Sequence, residues 1–269
     1  MKAELSTLVA HLGQRALSET KIIPWGCPVP SFGDPEKSRI ATLGLNPSNR
    51  EFVDASGNEL QGENRRFHTL KSLGLRDWSD AQSIHLRLIL EACRRYFFKN
   101  PYDAWFKRLD RLISGANASY YDREAQACHL DLIPYATECK WTALTRTERT
   151  KLMAVAGDTL GLVLRQAPID VLVLNGNAVV QNFEEIVDQP LVREEMPSWA
   201  LPRSASAGVM GVGYTGYVTR VANVPLGRRI LVLGFNHNIQ SSFGVTTVVM
   251  DRIRSWISRM VRSVAYDAA

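Results

Sequence analysis

Along this chain, short uninterrupted apolar runs alternate with longer stretches in which apolar residues recur every three to four positions. The runs lie at 39–45 (RIATLGL), 128–135 (CHLDLIPY), 169–177 (IDVLVLNGN) and 228–235 (RRILVLGF). Runs of this length, bounded by Gly, Pro and Asn, suit strands buried on both faces of a parallel sheet. Helical spacing predicts helices over 3–17, 66–73, 81–98, 102–114, 144–165, 178–187 and 245–262. In the 81–98 helix, Ile84, Leu88, Leu90, Cys93 and Phe97 form the expected apolar side. Three segments follow neither period: 24–38, rich in Pro and Gly; 46–66, polar; and 188–217, which reads as a loop before a strand-like stretch at 217–224. Strands alternating with helices predict an α/β fold, a three-layer αβα sandwich with a central, mainly parallel four-stranded sheet. One domain over 1–269 is expected, its first 38 residues forming a helical and irregular extension.

Composition leaves this picture intact and narrows the partners. Apolar residues make up 45% of the chain and charged residues 22%, ordinary for a globular protein and too apolar for disorder. No apolar run nears the roughly 18 residues of a membrane span. The N-terminal MKAELS lacks the apolar core of a secretion signal. A cytoplasmic protein is expected, and a monomer. The net charge of +5 and pI near 9.1 favour a polyanionic partner. Cys27, Cys93, Cys128 and Cys139 are scattered without a Cys-x-x-Cys pair. Neither disulfides nor a zinc or iron–sulfur site is expected, and the four belong to a reduced core. The segment GVGYTG at 211–216 spells a dinucleotide-binding fingerprint, but a strand-like stretch follows it instead of a helix, and the reading fails.

Chemistry enters where the 39–45 run stops on Asn46-Pro47-Ser48-Asn49. Gly44 lets another backbone approach closely, and Asn46 stands at the carboxyl end of a strand, where open α/β sheets bind ligands. The polar 46–66 loop begins at the same point, and loops of that length are often functional. A second suspect loop, His237-Asn238-Ile239-Gln240-Ser241-Ser242, follows the 228–235 run.

Together these two loops resemble the motifs of the uracil-DNA glycosylase superfamily, in its mismatch-specific and single-strand-selective branches. Gly44-Leu45-Asn46-Pro47-Ser48 resembles the first motif, G-x-N-P-[GS]; residues 237–242 resemble the second, H-P-S-P-x-S, with its His and last Ser but neither proline. ENRRFHTL at 63–70 resembles the Asn-Arg-Phe segment after the first motif, and VLVLNGNAV at 171–179 the penultimate strand and turn. The iron–sulfur branches are excluded by the cysteine pattern. The resemblance implies the fold of that superfamily and a monofunctional DNA glycosylase, acting on DNA without metal or cofactor, that hydrolyses the bond between base and deoxyribose.

The resemblance implies the following roles. Asn46 positions the attacking water through its side-chain oxygen, and His237 donates a hydrogen bond to the base as negative charge builds on it. The base leaves the helix and stacks on an aromatic ring, Phe52 or Phe67. In uracil-specific members an Asn on the second strand reads the uracil edge; the aligned residue here is Asp131. An ionised Asp only accepts hydrogen bonds, which suits an amino group such as cytosine N4. A salt-bridged strand Asp is the alternative. Ser48, where strictly uracil-specific enzymes have a Tyr that excludes the thymine methyl, leaves space beside pyrimidine C5. The two together point to a 5-substituted cytosine, hydroxymethylated or glucosylated as in phage DNA, and to antiviral defence. The alternatives are repair of uracil or thymine mismatches and a catalytically silent nucleic-acid-binding module. Arg50, Arg65 and Arg66 flank the first loop and suit phosphates, as do Lys71, Arg228 and Arg229. Asn238, Ile239, Gln240, Ser241 and Ser242 form the expected DNA-facing loop, with Ile239, Gln240 or Phe243 as a wedge.

Overall fold

A computed structural model describes residues 1–124, 126–203, 206–240 and 245–267. Its elements run α1 (Lys2–His11), α2 (Arg15–Ser18), β1 (Ile40–Gly44), α3 (Leu70–Leu73), α4 (Ser83–Arg94), α5 (Tyr96–Lys99), α6 (Asp103–Ile113) and β2 (Ala127–Asp131). They continue with α7 (Arg146–Ala156), α8 (Thr159–Gln166), β3 (Val171–Asn175), α9 (Asn177–Glu184), β4 (Val192–Arg203), β5 (Ser206–Val221), β6 (Val224–Phe235) and α10 (Thr247–Asp267).

The apolar runs pair as a parallel sheet because both of their faces are covered. Ala41, Leu43, Leu172, Leu174, Ile230 and Val232 enter one core with α7, α8 and α9. Their alternates Ile40, Val171, Val173, Leu231, Leu233 and Phe235 enter a second core with α4, α6 and α10. This period of two, apolar on both faces, is why the runs read as continuous. Strand order is β2-β1-β3-β6-β5-β4, with β2, β1, β3 and β6 parallel and β5 and β4 antiparallel.

The sheet among the described residues therefore has six strands and is mixed, and the expected four-stranded sheet is corrected. The two added strands form a hairpin from the segment expected to be a loop, 188–217. Its charged outer strand (Arg193, Glu194 and Glu195 exposed) and Pro197 hide the alternation that marks a strand. Register shifts between Met196 and Leu201 break the period further. Residues 211–216 lie inside β5.

Three expected helices are interrupted. The 3–17 stretch breaks after α1, 81–98 breaks between α4 and α5, and 144–165 breaks at Gly157, whose φ of +46° ends α7. The buried side of α4 is Leu86, Ile89, Leu90 and Cys93, and Ile84 is exposed. Phe32, from the Pro/Gly-rich segment, lies in the core; its N–H donates to the His129 carbonyl at 2.8 Å and its carbonyl accepts from the His129 N–H at 2.9 Å. Among the described residues, no helix is long and apolar enough to cross a membrane.

Candidate active site

The chain turns to opposite sides of β1, with β2 on one flank and β3 on the other, and the carboxyl ends of β1, β2, β3 and β6 open onto one cleft of about 740 Å³. Such a crevice is where open α/β sheets bind ligands. Asn46, Ser48, Arg50, Asp131, Asn238 and Gln240 all line it, although they come from three separate stretches of the chain.

Asn46 is half-buried just beyond β1. Its Nδ2 donates to the Thr137 hydroxyl oxygen at 2.9 Å and to the Pro47 carbonyl at 3.0 Å. The Thr137 hydroxyl spends its proton on the Cys139 carbonyl, 2.7 Å away, so it accepts from Asn46. This fixes the amide so that Oδ1 remains available as an acceptor. Ser48 is exposed and caps a 3-10 turn, Asn49–Glu51, by accepting from the Arg50 N–H at 3.2 Å.

Asp131 ends β2 beside Gly44 in register. A buried relay runs toward it: Tyr120 hydroxyl to Thr42 Oγ1 at 2.5 Å, Thr42 to His129 Nδ1 at 2.7 Å, and His129 Nε2 to Asp131 Oδ1 at 3.3 Å. With each hydroxyl donating onward, His129 carries a proton on Nε2, which stands 3.3 Å from the Asp131 carboxylate. Asp131 Oδ2 is buried and has no hydrogen-bond partner. An unpartnered buried carboxylate oxygen costs stability unless a ligand supplies a donor. Gly44 makes room for this arrangement; the group that approaches it is the Asp131 side chain with His129 rather than another backbone.

On the opposite side of β1, Asn175 Nδ2 donates to Gln240 Oε1 at 2.9 Å. Asn175 Oδ1 and Gln240 Nε2 are left buried without partners, in two residues that line the cleft.

Several expected site residues lie elsewhere. His237 is buried, with Nε2 donating to the Trp199 carbonyl at 2.8 Å, and does not line the cleft. Burial lowers its pKa, the Trp199 bond opposing, which favours the neutral ring. Its position at the end of β6 turns the ring toward the β4–β5 hairpin, which was not anticipated as structure. Phe52 and Phe67 are core residues, packed on each other with ring centres 5.9 Å apart, and neither faces the cleft. The aromatic walls are instead Trp105 and Phe106 of α6, with Tyr102 before it and Phe32 beneath. Trp105 is half-buried and meets His129 edge to face at 5.0 Å. The signal for it was the aromatic spacing Tyr102, Trp105, Phe106 on one helical side.

Arg66 is occupied by carbonyls, Nε on Asn100 at 2.9 Å and Nη1 on Arg50 at 2.7 Å. Arg65 is half-buried and outside the cleft lining. The Arg50 guanidinium turns onto the Asp54 carbonyl. Arg228 binds the Leu164 carbonyl in the last turn of α8 and the Ile169 carbonyl beyond it, at 2.7 and 3.1 Å. These four arginines are thus not a ready phosphate track. Ile239 is fully buried and cannot serve as a wedge as it stands. Ser241, Ser242 and Phe243 lie outside the described residues. Cys139 is half-buried on the cleft wall, apart from the buried Cys27, Cys93 and Cys128.

One carboxyl was missed altogether. Glu51, five residues after Asn46, lines the cleft at 3% exposure. Tyr96 hydroxyl donates to its Oε2 at 2.8 Å. No protein-family model matches this chain, and no curated protein does so either.

Proposed function

We propose that this protein is a monofunctional DNA glycosylase of the uracil-DNA glycosylase type, hydrolysing the N-glycosidic bond of a flipped, modified pyrimidine to leave an abasic site. The observation that carries the reading is the pairing, in one cleft, of a fixed acceptor at Asn46 Oδ1 with an unpartnered acceptor at Asp131 Oδ2. Water held on the first attacks the sugar; an amino group of the base satisfies the second. Cytosine N4 supplies such a donor, whereas O4 of uracil or thymine would face the carboxylate with a second acceptor.

The cleft volume of about 740 Å³ lies within the roughly 300–1,000 Å³ of pockets for drug-sized ligands, room for a pyrimidine and a bulky C5 substituent. The exposed Ser48 places no large side chain beside it. Trp105 offers the stacking face. Hydroxymethylated or glucosylated cytosine of phage DNA fits these demands, and removal of such bases is an antiviral defence.

Oligonucleotides carrying uracil, thymine opposite guanine, 5-hydroxymethylcytosine or its glucosylated form, treated with protein and then alkali, test the reading. Strand cleavage at a modified cytosine alone is expected; cleavage at uracil with none at modified cytosine would overturn the substrate assignment. The sequestered His237 favours one second reading, a nucleic-acid-binding module without catalysis, and that reading gains if DNA is bound tightly with no base released.

His237 provides a separate prediction. His237→Ala leaves the Trp199 carbonyl unpartnered and should cost about 1–3 kcal/mol in denaturant unfolding. Base release per folded molecule should change by less than about threefold, against the 10²-fold or more expected for a donor to developing charge. Single-turnover rates normalised to folded protein distinguish the two.

A further inference from the structure

The glycosylase reading leaves a chemical gap. When the bond from C1′ to N1 breaks, its electron pair stays on the base, and a cytosine-type anion is a strongly basic leaving group. Asn46 has no acidic proton, and His237 lies outside the cleft. We propose that Glu51 is the general acid of this site, passing its carboxyl proton to the departing pyrimidine.

Glu51 sits at the end of the 3-10 turn that Ser48 caps, so the motif carrying Asn46 also places this carboxyl. It lines the cleft, as Asp131 does. Tyr96, from α5, donates to Oε2 and itself accepts from the Tyr102 N–H at 2.9 Å, so the hydroxyl is held in place. The nearest cation is Arg66, with Nε at 3.9 Å from Oε2, but its guanidinium is already committed to two carbonyls. The other facing groups are Asp131 of β2, with His129 behind it, and Arg50 on the same turn, which points to Asp54. Burial outweighs this cation, which stands at the edge of ion-pair range. The Glu51 pKa rises to about 7, from burial first, with Tyr96 and Arg66 opposing and Asp131 adding to the rise. The carboxyl thus still holds its proton on a large share of molecules near neutral pH, where an ordinary glutamate has lost it. Buried carboxyls tuned in this way are suited to proton donation.

This role rests on the glycosylase reading, and its steps balance. The C1′–N1 bond breaks and its electrons go to the base, which takes the Glu51 proton at O2 or N3 and leaves neutral. Water held by Asn46 forms the new bond to C1′ and releases one proton to solvent through the open cleft. Glu51, left as the carboxylate, takes up a proton before the next turnover. Asp131 meanwhile accepts from the amino group and gives up nothing.

Single-turnover release from a modified-cytosine oligonucleotide, followed from about pH 5.5 to about 9, tests the assignment. The acid form is required, so the wild-type rate should be level below about pH 7 and fall tenfold per unit above it. Glu51→Gln should lose about 10²-fold at low pH and show no such fall. Its loss should shrink on 5-formylcytosine, whose electron-withdrawing substituent makes the base a better leaving group. A purely structural Glu51 would give neither the pH break nor the leaving-group rescue. A wild-type profile that stays level to pH 9, or a Glu51→Gln enzyme within threefold of wild type, overturns the role while leaving the glycosylase reading intact. The wild-type profile decides even if the variant does not fold. Absence of base release by the wild type from every oligonucleotide overturns both.

Discussion

Asn46→Ala is expected to lower single-turnover base release by at least about 10³-fold while DNA affinity stays within about twofold. In the proposed reaction the side chain holds the attacking water, and losing a positioned reactant removes much of the advantage of a bound geometry, several kcal/mol of barrier. The damage should stay local. Asn46 is half-buried beyond the end of β1, and its only described bonds are to the Pro47 carbonyl and Thr137. Thr137 keeps its bond to the Cys139 carbonyl in the variant. Stability should therefore fall by no more than about 1 kcal/mol, the ordinary worth of one part-buried hydrogen bond. Rates measured with enzyme in excess, beside binding isotherms on the same oligonucleotide, provide the check. Parallel loss of affinity and rate would show that Asn46 binds substrate and does not act on water.

Gly44→Ala should be the most damaging single methyl group in the site. A Cβ there overlaps Asp131 Oδ1 and comes within 3.0 Å of His129 Nε2. Neither group can yield freely: His129 is pinned by Thr42, Thr42 by Tyr120, β1 lies inside the parallel sheet, and the edge strand β2 is held by the Phe32 backbone bonds to His129. Overpacking of this kind costs about 1–3 kcal/mol. Displacing the Asp131 carboxylate by about an ångström should reduce base release a further 10²-fold or more. Denaturant unfolding and single-turnover rates measure the two parts separately. A Gly44→Ala protein with wild-type rate would mean that Asp131 does not touch the base. Asp131→Asn is the companion variant, since an amide offers both a donor and an acceptor and should admit uracil relative to cytosine.

The strands and their ends were legible because burial on both faces of a parallel sheet leaves continuous apolar runs that tolerate little else. Asn46 and Asp131, which both line the cleft, were singled out through those ends and through a resemblance of loops. The hairpin β4–β5 was not legible. An edge strand needs no second apolar face, and its exposed charges with Pro197 carry the composition of a loop. That one miss moved His237, whose ring is oriented by a carbonyl of β4. Phe52 and Phe67 illustrate a different limit. An aromatic residue near a motif and an aromatic residue in the core look alike in sequence, and only packing on Trp25, Phe32 and Tyr96 assigns these two to the core.

Glu51 shows the same division most clearly. Its place five residues after Asn46 is written in the chain, but its raised pKa arises from burial by other segments, with Tyr96 and Arg66 opposing and Asp131 adding to the rise. The amino-acid sequence by itself determined the α/β alternation, the four parallel strands and the loops at their carboxyl ends, because these follow from local periodicity and turn chemistry. Tertiary structure alone decided which of those loop residues face one another, which aromatic rings are walls and which are core, and which carboxyl is buried deeply enough to have its pKa raised. Those properties depend on desolvation and on partners distant along the chain, and neither is encoded in the spacing of neighbouring residues.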